Sequence, residues 1–215
     1  MNTIHLTRVA QLGWAVLLLL SLQLARAGNQ SEGTNSAPAY SFEQSFDSGR
    51  FETTATSGVL FSPIGPSRMR PTIDYTVSGM QFGYMLGGIQ GSGWLRGSFE
   101  LAGEGFGSRI FNGTGSYIAG GTLWLRYNFV PPNSPRLVPY FQAGFGAVAT
   151  DISPEIVGQS FNFNIDGSAG LRYFFSRDFC VNLEFRFQHI SNANMAPRNL
   201  GINAAGPMLG VSYFF

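Results

Sequence analysis

His189 and Ser191 sit two residues apart at the end of the segment FCVNLEFRFQHIS, residues 179–191. In an extended strand, side chains two positions apart share a face, with Cα atoms roughly 6.6–6.8 Å apart. That spacing brings an imidazole within reach of a hydroxyl, the pairing that turns a serine into a nucleophile by general-base assistance. The face is unusual for such chemistry. Val181, Leu183, Phe185 and Phe187 precede the pair on the same side, while Asn182, Glu184, Arg186 and Gln188 occupy the other. A base and a nucleophile thus lie on an apolar face, and what that face touches decides what they can do. The bland alternative is a strand leaving an apolar environment, where polar residues become inexpensive.

The rest of the chain must supply that environment. Period-two stretches recur along it, broken by Gly, Pro, Asn and Ser, and no segment beyond Arg50 has helical spacing. The clearest are 117–129, 138–150, 161–175, 181–191 and 209–215. Leu95–Glu104 and Thr72–Leu86 add two more, the second with a parity slip near Gly79 of the kind a β-bulge causes. Phe51–Phe61 is the weakest and completes a set of eight.

The chain has 215 residues, enough for one domain with a tail, and only 12% of them are charged against 14% aromatic. Such a sequence is too apolar for disorder and too uncharged for an ordinary soluble surface. The 13 basic residues are all Arg, and a net charge of +1 gives no reason to expect nucleic acid as a partner. Cys180 is the single cysteine, so an internal disulfide is excluded. With His189 as the one histidine beyond the N-terminal segment, a Cys/His metal centre is excluded too, and no cofactor is implied. Residues 1–27 read as a secretory signal: Arg8, the apolar run Ala15–Leu22, and the small-residue pattern Ala25-Arg26-Ala27. Residues 28–49 read as a flexible polar leader, and residues 50–215 as the folded domain.

Two architectures use such strands. In a soluble sandwich the apolar faces meet inside; in a transmembrane barrel they meet lipid, and the polar faces fill the lumen. The barrel is favoured because the apolar faces are heavily aromatic near strand ends, as interfacial girdles are. The opposite faces carry a balanced charge set: Arg96, Arg126, Arg172 and Arg186 against Glu100, Glu104, Asp166 and Glu184. The predicted fold is therefore all-β, an eight-stranded antiparallel transmembrane up-and-down barrel. Eight strands leave an interior that side chains just fill, which disfavours a pore. With short turns at the periplasmic end and longer loops outside, strand seven ends at the outer surface, with His189 and Ser191 in the outer leaflet.

At this point a resemblance becomes specific. His189-Ile190-Ser191-Asn192-Ala193, near the end of a secreted barrel whose last residue is Phe215, resembles the H-x-S-N-A motif of the lipid A 3-O-deacylases of the PagL type. The likeness is stronger over 137–215 than over 50–136. It implies an integral protein of the bacterial outer membrane that cleaves an ester-linked acyl chain of lipid A, with lipopolysaccharide as substrate and no cofactor. It implies Ser191 as nucleophile, His189 as base, and Asn192 and Asn199 around the oxyanion. The sequence departs from the family at the third member, since the position of its glutamate holds Asn203. No Asp or Glu follows Glu184. An asparagine carbonyl can orient the ring, as in Cys-His-Asn proteases, but cannot offset the imidazolium charge. The other route is an acid from a neighbouring loop, Asp151 or Glu155. Arg68 and Arg70, in the first long connection, are read first as solvated side chains and second as contacts to lipid A phosphates. The competing class is a non-catalytic structural or adhesive barrel with a degenerate site.

Overall fold

The computed structural model describes residues 41–62, 71–132 and 136–215; the proposed signal segment, Arg68 and Arg70 lie outside the described residues. Eight antiparallel strands close into a barrel in simple sequence order: β1 (Phe51–Leu60), β2 (Asp74–Met85), β3 (Gly97–Asn112), β4 (Tyr117–Phe129), β5 (Leu137–Thr150), β6 (Phe161–Phe174), β7 (Phe179–Ser191) and β8 (Ile202–Phe214). β8 pairs with β1 and completes the ring, so no sheet edge is left open.

Alternation is the reason these segments form a barrel. On β6 the inward positions Asn162, Asn164, Asp166, Ser168 and Arg172 are buried, while Phe161, Phe163, Ile165 and Leu171 face out. The lumen has three layers. An ionic belt fills the middle: Arg126 reaches Glu100 at 2.8 Å, Arg172 reaches Glu52 at 2.9 Å, and Arg186 reaches Glu184 at 2.8 Å and Glu104 at 3.0 Å. One apolar plug, with Leu60, Tyr75, Val77, Phe106, Ile110 and Ile190, closes the end where β7 finishes. A second, built on Phe46, Met85, Phe174, Cys180 and Phe214, closes the other.

These plugs correct several expectations. β2 keeps continuous register through Gly79 with β1, so no bulge lies there; the one irregularity falls between Asp74 and Tyr75. What changes at Gly79 is chemistry rather than geometry. Below it the inward side is polar (Gln81) and the outward side apolar (Phe82, Tyr84); above it Tyr75 and Val77 turn inward and Thr76 and Ser78 outward. β3 likewise runs on to Asn112, because Phe106 and Ile110 enter the plug while glycines take the outward positions. Its link to β4 is therefore short, 113–116, whereas the β2–β3 link at the opposite end spans 86–96, so loop length alone does not orient the barrel.

The charge pairing also differs in detail. Arg96 leaves the lumen and pairs with Glu43 at 2.8 Å. Asp166 accepts from Thr122 at 2.9 Å and Asn164 at 2.6 Å, both uncharged. The end of the expected leader is folded: Phe42–Phe46 forms a 3-10 turn capped by Ser41, with Phe46 fully buried against Phe174 and Phe214.

Candidate active site

β7 carries His189 and Ser191 to its end on the outer wall, as alternation requires, and β8 returns directly beside it. The β7–β8 register pairs His189 with Asn203 and stays continuous past Pro207, which opposes Phe185. Proline lacks an N–H, and the ladder that suffers is the other one: β1–β8 breaks off after Gly58↔Met208 and resumes only at Phe61↔Ala205. Across the β7–β8 seam the imidazole Nδ1–H donates to Asn203 Oδ1 at 2.6 Å. An amide oxygen can only accept, so the proton sits on Nδ1 and, in the neutral ring, Nε2 is the nitrogen with the free lone pair.

The two loop acids are committed elsewhere. Asp151 accepts from the backbone N–H groups of Ser116 at 2.7 Å and Tyr117 at 3.0 Å, and from the Ser116 hydroxyl. These donors hold its carboxyl down at about 2. Glu155 faces Arg198 at 3.4 Å in an exposed pair. Among the described contacts, then, the imidazole's partner is Asn203.

Ser191 is half-buried on the same face, opposite Phe163 of β6, and His189 lies opposite Ile165. Among the described residues no hydrogen bond joins the Ser191 hydroxyl to the imidazole, so the expected contact between base and nucleophile is not made here. Both side chains sit in an apolar rim formed by Phe161, Phe163, Ile165 and Phe187.

Asn192 takes an unexpected place. Its side chain turns into the lumen and is fully buried, donating from Nδ2 to Val157 O at 2.9 Å and Arg198 O at 2.7 Å. Its backbone N–H donates to Asn199 Oδ1 at 3.2 Å, and Asn199 Nδ2 donates to Asn194 Oδ1 at 3.1 Å. Both asparagines thus build the strand end instead of presenting free amides beside Ser191. A tight turn follows, closed by Met195 N–H to Asn192 O at 3.0 Å. Ala193 and Asn194 adopt φ of 51° and 62°. For alanine the left-handed region costs roughly 1–2 kcal/mol, which the clasp around Asn192 must offset.

The β5–β6 connection supplies that clasp and was missed from sequence. A short helix, α1 (Pro154–Val157), is capped by Ser153 and ends at Gly158 with φ 79°. A Cβ on Gly158 would stand 2.2 Å from Arg198 O and 2.4 Å from Asn192 Nδ2. Leu200 N–H also donates to Ile156 O at 2.9 Å. The run Ser153-Pro154-Glu155 before Val157-Gly158 has the composition of a capped helical turn and could have exposed it. Gly158→Val is expected to loosen the β7–β8 loop while the barrel itself still forms, read as faster amide exchange confined to residues 192–201.

Fold and site together define a closed eight-stranded barrel of the outer-membrane type with a His–Ser pair on its outer wall. A family model described as lipid A 3-O-deacylase (PagL) matches residues 76–212. The chain belongs to this family. Among solved structures, the outer membrane enzyme PagL superposes with a TM-score of 0.51 at 17% identity, covering 75% of this chain and 98% of that one. The N-terminal barrel domain of Pseudomonas aeruginosa OprF gives 0.51 at 18%, covering 78% and 98%. Neisserial surface protein A gives 0.53 at 14%, again covering 78% and 98%. At such identities the likeness speaks for the fold. No curated protein sequence matches the chain.

Proposed function

We propose that this protein is an outer-membrane serine esterase that removes an ester-linked acyl chain from lipid A. The observation that carries the proposal is the His189–Asn203 hydrogen bond, with Ser191 on the same outward face, inside the stretch matched by the deacylase family. In this reading residues 1–27 direct export, the end bearing the β7–β8 loop faces the cell exterior, and Ser191 lies at the depth of the lipid A esters.

In the reaction, Ser191 Oγ rotates toward His189 Nε2, loses its proton to it and attacks the ester carbonyl. The imidazolium then protonates the departing sugar oxygen as the C–O bond breaks, releasing the sugar hydroxyl and leaving an acyl-enzyme. Water, deprotonated by the same nitrogen, releases the fatty acid and restores Ser191. Asn199 Nδ2, freed from its exposed contact with Asn194, is the proposed oxyanion donor; Asn192 serves from inside by holding the turn. Asn203 keeps the proton on Nδ1, and so avoids the tautomer error that makes an Asp→Asn change costly in other triads. What it lacks is a negative charge for the imidazolium.

The test is mass spectrometry of lipid A from cells expressing the chain. Loss of one hydroxyacyl group supports the esterase; unchanged lipid A with the barrel correctly inserted supports the second reading, a non-catalytic barrel. That reading draws on the neutral Asn203 and on the missing Ser191–His189 contact. Asn203→Glu separates the two further. Where a Ser-His-Asp enzyme loses about 10⁴ in turnover on Asp→Asn, chiefly through the tautomer, adding only the charge here should raise the deacylation rate by about 10- to 100-fold. A drop to background in that variant would remove Asn203 from the mechanism.

A further inference from the structure

Arg109 on β3 is the one exposed Arg, Asp or Glu among the described strand residues; the others are buried. It stands at the rim of the apolar band. Phe111, two positions on, is exposed on the same face with its ring 6.2 Å from that of Phe61, and Tyr117 lies directly across on β4. An arginine on a lipid-facing wall costs about 2–4 kcal/mol at the bilayer midplane and about 0–1 at the interface. The aromatic rim places Arg109 at the interface, where anionic headgroups lie.

The surroundings are polar in a way the rest of the wall is not. Arg109 is paired with Thr76 on β2, its N–H donating to Thr76 Oγ1 at 3.3 Å. Ser78 follows on the same outward row, its hydroxyl 3.0 Å from that of Ser57 on β1. Below, Gly103, Gly105 and Gly107 leave the wall bare: a Cβ built on any of them meets nothing within 4 Å. No counter-ion comes from the described residues. Two acids share this rim and both are taken up elsewhere: Asp74 on β2 accepts from the Ser62 N–H and from Asn112 Nδ2, each at 2.8 Å, and Asp151, beyond Tyr117, accepts from Ser116 and Tyr117. Residues 63–70 contain neither Asp nor Glu.

We propose that Arg109, with the hydroxyls of Thr76 and Ser78, forms a binding site for the phosphate of a lipid headgroup, whose acyl chain lies along the glycine trough of β3. A guanidinium offers several donors to phosphate oxygens in a fixed fork, and neighbouring hydroxyls add neutral donors. β3 is four strands from β7 in either direction round the ring, so this lipid is a second one, bound on the wall opposite Ser191. The site uses the membrane orientation proposed above and none of the catalytic chemistry.

The test is native mass spectrometry of the purified barrel in the Ser191→Ala background, so that no probe is hydrolysed. Three probes are offered: bisphosphorylated lipid A, the same lipid A after removal of its phosphates, and phosphatidylglycerol. Retention of a phosphorylated probe with about tenfold loss on Arg109→Gln, and weak retention of the dephosphorylated one, supports the site. The two phosphorylated arms identify the source, glycolipid or phospholipid. Arg198→Gln, an exposed loop change, should leave retention unaltered. Equal retention by Arg109→Gln, or equal retention of the dephosphorylated lipid, overturns the proposal. Because hydrolysis is not read, failure here is distinct from failure of the esterase reading.

Discussion

Ser191→Ala is expected to lower deacylation of lipid A by at least about 10³-fold, and His189→Ala by a similar factor. The double variant should lose little more than either single one. The reason is that nucleophile and base act as a unit: once the hydroxyl is gone, the imidazole has no proton to take, and the converse holds equally. What remains is the catalysis supplied by binding and oxyanion donors, which in serine hydrolases leaves a residual rate about 10³–10⁴ above water. The measurement is the time course of fatty-acid release from purified lipid A in detergent micelles, with folding checked by heat-modifiable gel mobility. Substantial release by Ser191→Ala would place the nucleophile elsewhere. Losses that multiply in the double variant would mean that the two residues do not share a step. Asn203 bears on the same test, since its oxygen sits 2.6 Å from His189 Nδ1 and favours the tautomer that the proposed reaction would use.

The second large effect is expected in the lumen. Arg172 is buried between Glu52, at 2.9 Å, and Glu100, at 3.3 Å. Arg126 bridges the same two carboxylates at 3.3 and 2.8 Å. Two cations and two anions thus neutralise one another in a space closed at both ends by apolar side chains. Arg172→Met would leave two buried carboxylates sharing one guanidinium. Breaking a buried pair by removing one partner costs about 3–5 kcal/mol, since the remaining charge is neither solvated nor matched. The expected result is a lowered urea midpoint for the unfolding of barrels inserted in lipid vesicles. Adding Glu52→Gln should recover part of the loss, and that recovery marks a charge effect as opposed to a packing defect. An Arg172→Met barrel as stable as the parent would show that the belt is solvated. The same closed lumen predicts no single-channel conductance in planar bilayers.

The alternation of β4 to β7 was legible because these strands keep one polarity along their length within the membrane band. β2 and β3 were misread where polarity reverses: above Gly79, Tyr75 and Val77 enter a plug that period-two reading treats as a bulge. The 3-10 turn at Phe42–Phe46 was missed since two aromatics in a polar stretch carry no period, and only the cavity left by Phe174 and Phe214 gives Phe46 a place.

At the site the division is similar. Parity along one strand was enough to put His189 and Ser191 on the outer wall, and parity along β8 was enough to put Asn203 on that wall too. These are consequences of a repeat of two, which any extended chain obeys. That Asn203 meets His189, while Asp151 and Glu155 do not, depended on the β7–β8 register and on which donors the loop acids found first. Asn192 shows the limit most plainly. Its motif position suggested an amide beside the oxyanion, yet it alternates inward and is claimed by Val157 and Arg198. The sequence by itself determined the barrel, its outward pair and the missing carboxylate, because each follows from residue type and alternation. Only the tertiary structure decided what holds the imidazole and what holds the strand end, because hydrogen bonds between segments depend on distances that no single strand encodes.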